Sequence, residues 1–259
     1  MVASTTSLNI RWEKLPDDFV LPDDPVDNLA QPALAAALTE ALAIAGRLPA
    51  NALTPTNYGI CATVNGKIVV KAPDWAYIPH ITATRAEVHR SYTPQLQGEF
   101  PLMVMEFLSD DEGSEYSIKP TYPPGKWFFY EQVLQVPYYA LFDLATDVLE
   151  FYRLGADKRY KIVEPDAAGR YGLPELDLTL GLWSGQRENR SGMWLRWWDA
   201  AGNLLLWGQE QAEAERQRAE AERQRAEAEC QRAEAERQRA ERLAERLRSL
   251  GVDPHSFED

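Results

Sequence analysis

The spacing of apolar residues changes several times along the chain, and each change predicts an element. Pro32 opens an Ala/Leu run in which Leu34, Leu38, Leu42 and Ala45 recur at helical spacing, until Gly46 and Pro49 stop it. This predicts a core-packing helix. Tyr58–Val64 and Lys67–Val70 are apolar and β-branched, and Asn65-Gly66 separates them, a strong hairpin signal. The second run continues to Asp74, which it delivers at its end, and Trp75–Ile78 reads as a further strand. Phe100–Ser109 reads as a buried strand carrying one acid, Glu106. Pro123-Pro-Gly125 precedes a helix with Lys126, Tyr130, Val133 and Leu134 on one face, and Val136-Pro137 ends it. Tyr138–Phe142 and Val148–Arg153 read as strands, and Tyr160–Val163 as a weaker one. The alternation places the chain in the α/β class, as a mixed β-sheet flanked by helices.

The ends of the chain differ in pattern. Residues 1–30 are polar and rich in Asp and Pro, which predicts an N-terminal extended arm. Residues 31–208 are then one ordinary domain. Residues 209–250 are a charged heptad repeat: Ala212-Glu-Ala-Glu-Arg-Gln-Arg218 recurs at 219, at 226 with Cys230 in place of Arg, and at 233. Residues 251–259 are a short tail. The repeat consists of good helix formers. Its Glu–Arg pairs at i,i+3, such as Glu213–Arg216, are each worth about 0.2–0.5 kcal/mol. Aligned on Leu243, Leu247 and Leu250, one seam position is Ala and the other Glu, a poor coiled-coil seam. The simpler expectation is a long solvated charged helix with a leucine tip. A homodimer through that tip or a sheet edge, and a partner helix for the tail, stay open.

Charge narrows the function classes. The net charge is −13 over 259 residues. Residues 209–259 carry −4 of it, from 14 acids and 10 arginines, leaving −9 on the rest. A body this acidic does not coat nucleic acid by charge alone, although a local basic groove or a metal-bridged phosphate is compatible with it. Two cysteines, Cys61 and Cys230, make no disulfide framework and suit a reducing compartment. There is no signal-peptide core near the start and no apolar stretch of about eighteen residues, so no membrane span is expected and the expected location is cytoplasmic.

The candidate chemistry is carboxylate and lysine. The chain has no P-loop, GxGxxG, HExxH or GxSxG motif, and His80, His89 and His255 form no zinc grouping with the cysteines. A lone acid inside an apolar strand must be paired or bind a cation. Asp74 and Glu106 are hard oxygen ligands for Mg²⁺, with Mn²⁺ as a substitute, and the Phe107 carbonyl can add a third ligand. Lys126 would orient water or neutralise developing charge. The plainer reading makes Asp74 a turn residue and Glu106–Lys126 a structural ion pair. Asp110, Asp111, Glu112 and Glu115 read as a solvated loop, with Asp111 or Glu112 as an auxiliary ligand at most. The cluster from Trp183 to Trp198, interleaved with Arg187, Arg190 and Arg196, either closes one end of the core or stacks bases.

Pro73-Asp74, Met105-Glu106-Phe-Leu-Ser109, Lys126-x-x-x-Tyr130, Val136-Pro-Tyr-Tyr-Ala-Leu-Phe-Asp143 and Trp194-Leu-Arg-Trp-Trp-Asp199 together resemble the Uma-two family of restriction endonucleases. That family is abundant in cyanobacteria and belongs to the PD-(D/E)XK superfamily. The likeness covers roughly residues 30–210, and the Arg/Glu heptad tail is similar to tails on cyanobacterial members. It implies a restriction-endonuclease-like core, a divalent metal and hydrolysis of phosphodiester bonds, with DNA as the substrate. Asp74 matches the family's metal-binding Asp, Glu106 its second acid, and Lys126 its lysine in the following helix. The superfamily pattern puts that lysine two residues after the acid, where Leu108 stands. The early Tyr-Glu-Leu motif of many members has no counterpart here, and Glu40 is a candidate for its Glu by position only. These departures set a second expectation beside the nuclease: a catalytically silent nuclease fold serving as a binding or assembly module.

Overall fold

The computed structural model describes residues 8–14, 16, 30–108 and 115–250. Most of the 1–30 arm, the acids Asp110, Asp111 and Glu112, and the 251–259 tail lie outside the described residues. The chain divides into two compact units, Met1–Trp207 and Gly208–Asp259.

The first unit is mixed α/β. Strand β1 (Ile10–Arg11), within the segment read as an arm, pairs with β2 (Gly59–Val64). Helix α1 (Gln31–Ile44) lies between them in sequence. It opens with Pro32 in its first turn and ends at Gly46, whose φ of 67° suits glycine. Leu34, Leu38 and Leu42 are fully buried along it, each worth roughly 1.5–3 kcal/mol relative to exposure. Leu38→Ala would cost about 2–5 kcal/mol.

Strands β2 and β3 (Lys67–Lys71) form the predicted hairpin. Asn65 and Gly66 both have positive φ, 52° and 77°, as a two-residue turn matching strand twist requires. The strand ends at Lys71, so Asp74 lies in the link to β4 (Trp75–Tyr77) and not in β3 itself. Strand β5 (Ser91–Tyr92) adds to β2 in parallel.

The central sheet has the order β4-β6-β7-β8-β9. It comprises β6 (Met103–Leu108), β7 (Tyr138–Asp143), β8 (Val148–Leu154) and β9 (Tyr160–Ile162) beside β4. Only β6 and β7 are parallel, and helix α2 (residues 126–134) lies in the crossover between them. The sheet is covered on both faces, which is why its strands read as continuous apolar runs. Met103, Met105 and Phe107 join one core with α1, Trp75 and Trp197. Val104, Tyr139 and Leu141 join the other with β2 and α2. Side chains alternate along a strand, so Glu106 points to the second face with Val104.

Helix α2 has one α-helical turn, Lys126–Phe128, and continues as Phe129–Leu134 with the wider π winding. Periodicity predicted a regular helix. Along it the Tyr130 hydroxyl donates to Glu106, while Glu131 accepts from the Tyr160 N–H and Arg159. Gln135, left-handed at φ 51°, ends the helix.

Strands β10 (Arg170–Leu173), β11 (Leu178–Arg187) and β12 (Arg190–Asp199) form a separate three-stranded sheet. Its tryptophans belong to the core. Trp194 and Trp197 are buried, Trp197 packs 5.9 Å from Trp75, and its indole N–H donates to the Leu38 carbonyl. The core-closing reading of this cluster therefore holds over base stacking.

The second unit contains α3, a 42-residue helix, Gly208–Ser249, with no buried residue. Glu213–Arg216 and Glu220–Arg223 pair along it at 2.9 and 3.0 Å. No helix among the described residues is long and apolar enough to cross a membrane.

Candidate active site

Sheet register brings the two acids together. In the antiparallel β4–β6 ladder Trp75 pairs with Met105 and Ala76 with Val104. One step further along the same register, Asp74 stands opposite Glu106. The ladder stops there, and the Asp74 carboxylate takes over by accepting the Phe107 N–H at 2.6 Å through Oδ2. Lys126 enters from the start of α2, 20 positions after Glu106, and donates to Glu106 Oε2 at 3.1 Å. The Tyr130 hydroxyl, one helical turn on, donates to Glu106 Oε1 at 2.8 Å. The lysine thus reaches the acid from the neighbouring helix, in place of the strand position that Leu108 occupies.

Two further residues join, neither of them among the sequence candidates for the site. Glu115, read as part of a solvated loop, is buried. Its Oε1 accepts from Lys126 at 3.2 Å, and its main-chain carbonyl accepts from the Tyr139 hydroxyl at 3.0 Å. Gln31, the first residue of α1, is also buried, and its side-chain amide donates to the Phe107 carbonyl at 2.6 Å. Glu40 goes elsewhere, pairing with Arg187 at 2.6 Å. The early residue that α1 brings to the site is therefore Gln31, not Glu40. Its sequence signal was a polar residue at the first turn of an apolar helix, which looks like an ordinary helix start.

Glu106 is 0% exposed, whereas Lys126 is 21% exposed and Asp74 half-buried, so solvent reaches the group from the Asp74–Lys126 side. Burial pushes the Glu106 carboxyl up to about 8; Asp74 and Glu115 push the same way, while Lys126 and the Tyr130 hydrogen bond oppose them. For Lys126, burial disfavours the charge, but Glu106, Glu115 and Asp74 outweigh it and hold the ammonium protonated well above its usual range. Burial also raises the Tyr130 and Tyr139 phenols, aided by Glu106, so both stay neutral donors.

Three carboxylates thus surround one ammonium, and the excess is negative. The donor set suits a hard divalent cation, which takes one or two carboxylates and carbonyl oxygens and completes its shell with water or phosphate. Among the described residues no three His, Cys, Asp or Glu side chains form a ready ligand cage. A cation here would rest on Asp74, Glu106 and the Phe107 carbonyl. Its charge would favour the ionised form of Glu106 against the burial that lifts its carboxyl.

The Uma2 family, described as "Putative restriction endonuclease", matches residues 8–187. The chain belongs to that family. Among solved structures, a "putative nuclease belonging to DUF820 from Anabaena variabilis" is similar at 14% sequence identity, with a TM-score of 0.35, covering 59% of this chain and 76% of its own. That likeness is too distant to carry weight. No curated protein matches the chain.

Proposed function

We propose that the protein is a divalent-metal-dependent endonuclease acting on DNA. The observation that carries this reading is the meeting of Asp74, Glu106 and Lys126, from three separate segments, at one partly open place with surplus negative charge. Asp74 and Glu106 would hold Mg²⁺, or Mn²⁺ in its place, with the Phe107 carbonyl as a third donor. Bound there, the ion would supply an acidified water and charge relief at the scissile phosphate. Lys126 keeps its proton and sits where it can steady charge developing on phosphate oxygens. Tyr130 orients Glu106, and Gln31 orients the Phe107 carbonyl, as outer partners do for ligands. Nicking of supercoiled plasmid tests the reading. The wild-type chain should nick with Mg²⁺ or Mn²⁺ and stop with EDTA. Asp74→Asn and Glu106→Gln should not nick while staying folded.

A second reading has its own support. Both Glu106 oxygens accept hydrogen bonds from within the protein, and the Phe107 carbonyl is taken by Gln31. A silent assembly module would keep this closed network and bind no cation. Calorimetry showing no heat with Mg²⁺ or Mn²⁺ would favour it over the nuclease.

A further inference from the structure

We infer that the segment between Glu115 and Lys126, together with the start of β3, is a rim that takes the phosphate backbone of a nucleic-acid strand beside the acid site; its placement rests on the nuclease reading above. Both ends of the segment are rooted in the site, because Glu115 and Lys126 pair at 3.2 Å. Its path is fixed. The Gly125 N–H donates to the Lys119 carbonyl and the Phe128 N–H to the Ser117 carbonyl. A Cβ at Gly125 would stand 2.0 Å from the Ser117 oxygen, so the chain crosses itself where only glycine fits. The segment also reaches β3, which among the described residues pairs only with β2. There the Tyr122 hydroxyl donates to the Ile68 carbonyl at 3.3 Å, and Lys67 Nζ lies 4.7 Å over the Tyr122 ring.

Ile118 is 68% exposed and Tyr122 53%, with Lys119 and Lys67 exposed beside them. Lys67 and Lys119 are two of the chain's seven lysines, in a body (residues 1–208) that carries a net −9. Cations interleaved with an exposed ring and an aliphatic side chain suit phosphates flanked by bases or sugars. The arginines of the β11–β12 tip are committed otherwise: Arg187 holds Glu40 and the Ala33 carbonyl, and Arg190 the Ala30 carbonyl.

The test is fluorescence anisotropy of the full chain with labelled single-stranded and duplex DNA, in EDTA so that cleavage plays no part. Lys67→Ala/Lys119→Ala/Tyr122→Ala should weaken binding by about tenfold or more and lower the salt slope by about 1 per lysine removed. Lys158→Ala/Lys161→Ala, at the β8–β9 side, should change neither. Should the triple variant unfold by circular dichroism, the single Lys119→Glu decides instead, and it should weaken binding in the same direction. Wild-type failure to bind, an unaffected rim variant, or an equal loss in the β8–β9 variant would each overturn the inference. The two readings also separate. Rim-dependent binding in a chain that never cleaves keeps the rim and refutes the nuclease. Metal-dependent cleavage by a rim variant that binds DNA normally keeps the nuclease and refutes the rim.

Discussion

Glu106 and Arg196 are both fully buried ionisable side chains on strands of the first unit, in different surroundings. Arg196 lies between aromatic faces, 3.4 Å from the Trp207 ring centre and 4.8 Å from that of Trp183, and donates to the Leu205 carbonyl at 2.9 Å. Its guanidinium is held against ring faces and a main-chain oxygen. Glu106 sits in a group where acids outnumber the one lysine, and of its neighbours on the open side Lys126 is 21% exposed and Asp74 half-buried. Burial of a charge therefore does not by itself mark a site. The proposed site adds acids in excess of its one lysine and a side that is part-exposed.

Truncating each residue should separate the two roles. Arg196→Ala removes the packing between two tryptophans and should cost about 2–5 kcal/mol of stability, read by thermal melting. The folded fraction should keep its activity. A variant that melts normally but loses cleavage would place Arg196 in the working site and break the comparison. Glu106→Gln should do the reverse. Plasmid nicking should be lost, with no fall in melting temperature.

The pH dependence sharpens the contrast. The Glu106 carboxyl is raised in the folded chain from an ordinary 4.5 to about 8, so folding favours its protonated form. That contribution to stability is full below about 4.5 and is lost as pH rises through about 8. In EDTA, wild-type melting should therefore decline between these limits relative to Glu106→Gln, and parallel profiles would contradict the assignment. A smaller effect is expected from Gln31→Ala, which frees the Phe107 carbonyl. The Mg²⁺ concentration for half-maximal nicking should rise about tenfold. The smallest effect belongs to the exposed tail. Breaking Glu213–Arg216 by Arg216→Ala should cost about 0.2–0.5 kcal/mol, visible only as a slight drop in helical circular dichroism.

The comparison also shows why parts of the site were readable in advance. Asp74, Glu106 and Lys126 each stand out locally: an acid after a β-branched run, an acid inside an apolar strand, a lysine opening a helix. Glu115 stood out only as one acid among several, because its burial depends on Tyr139 and Lys126 folding over it. Gln31 was silent because its partner, Phe107, is 76 positions away.

The Asn65-Gly66 turn, the limits of α1, the strands from β6 to β9 and the charged helix of the tail were determined by the chain's own text, whereas β1, β5 and the separate β10–β12 sheet were not. Each of the former follows from spacing or turn chemistry acting over a few residues. Tertiary structure alone decided that Asp74 faces Glu106 across a ladder, that α2 takes the wider π winding, that Glu115 is buried and that the tryptophans shelter Arg196. Those outcomes depend on strand register and on contacts between distant segments, which no local pattern of residues encodes.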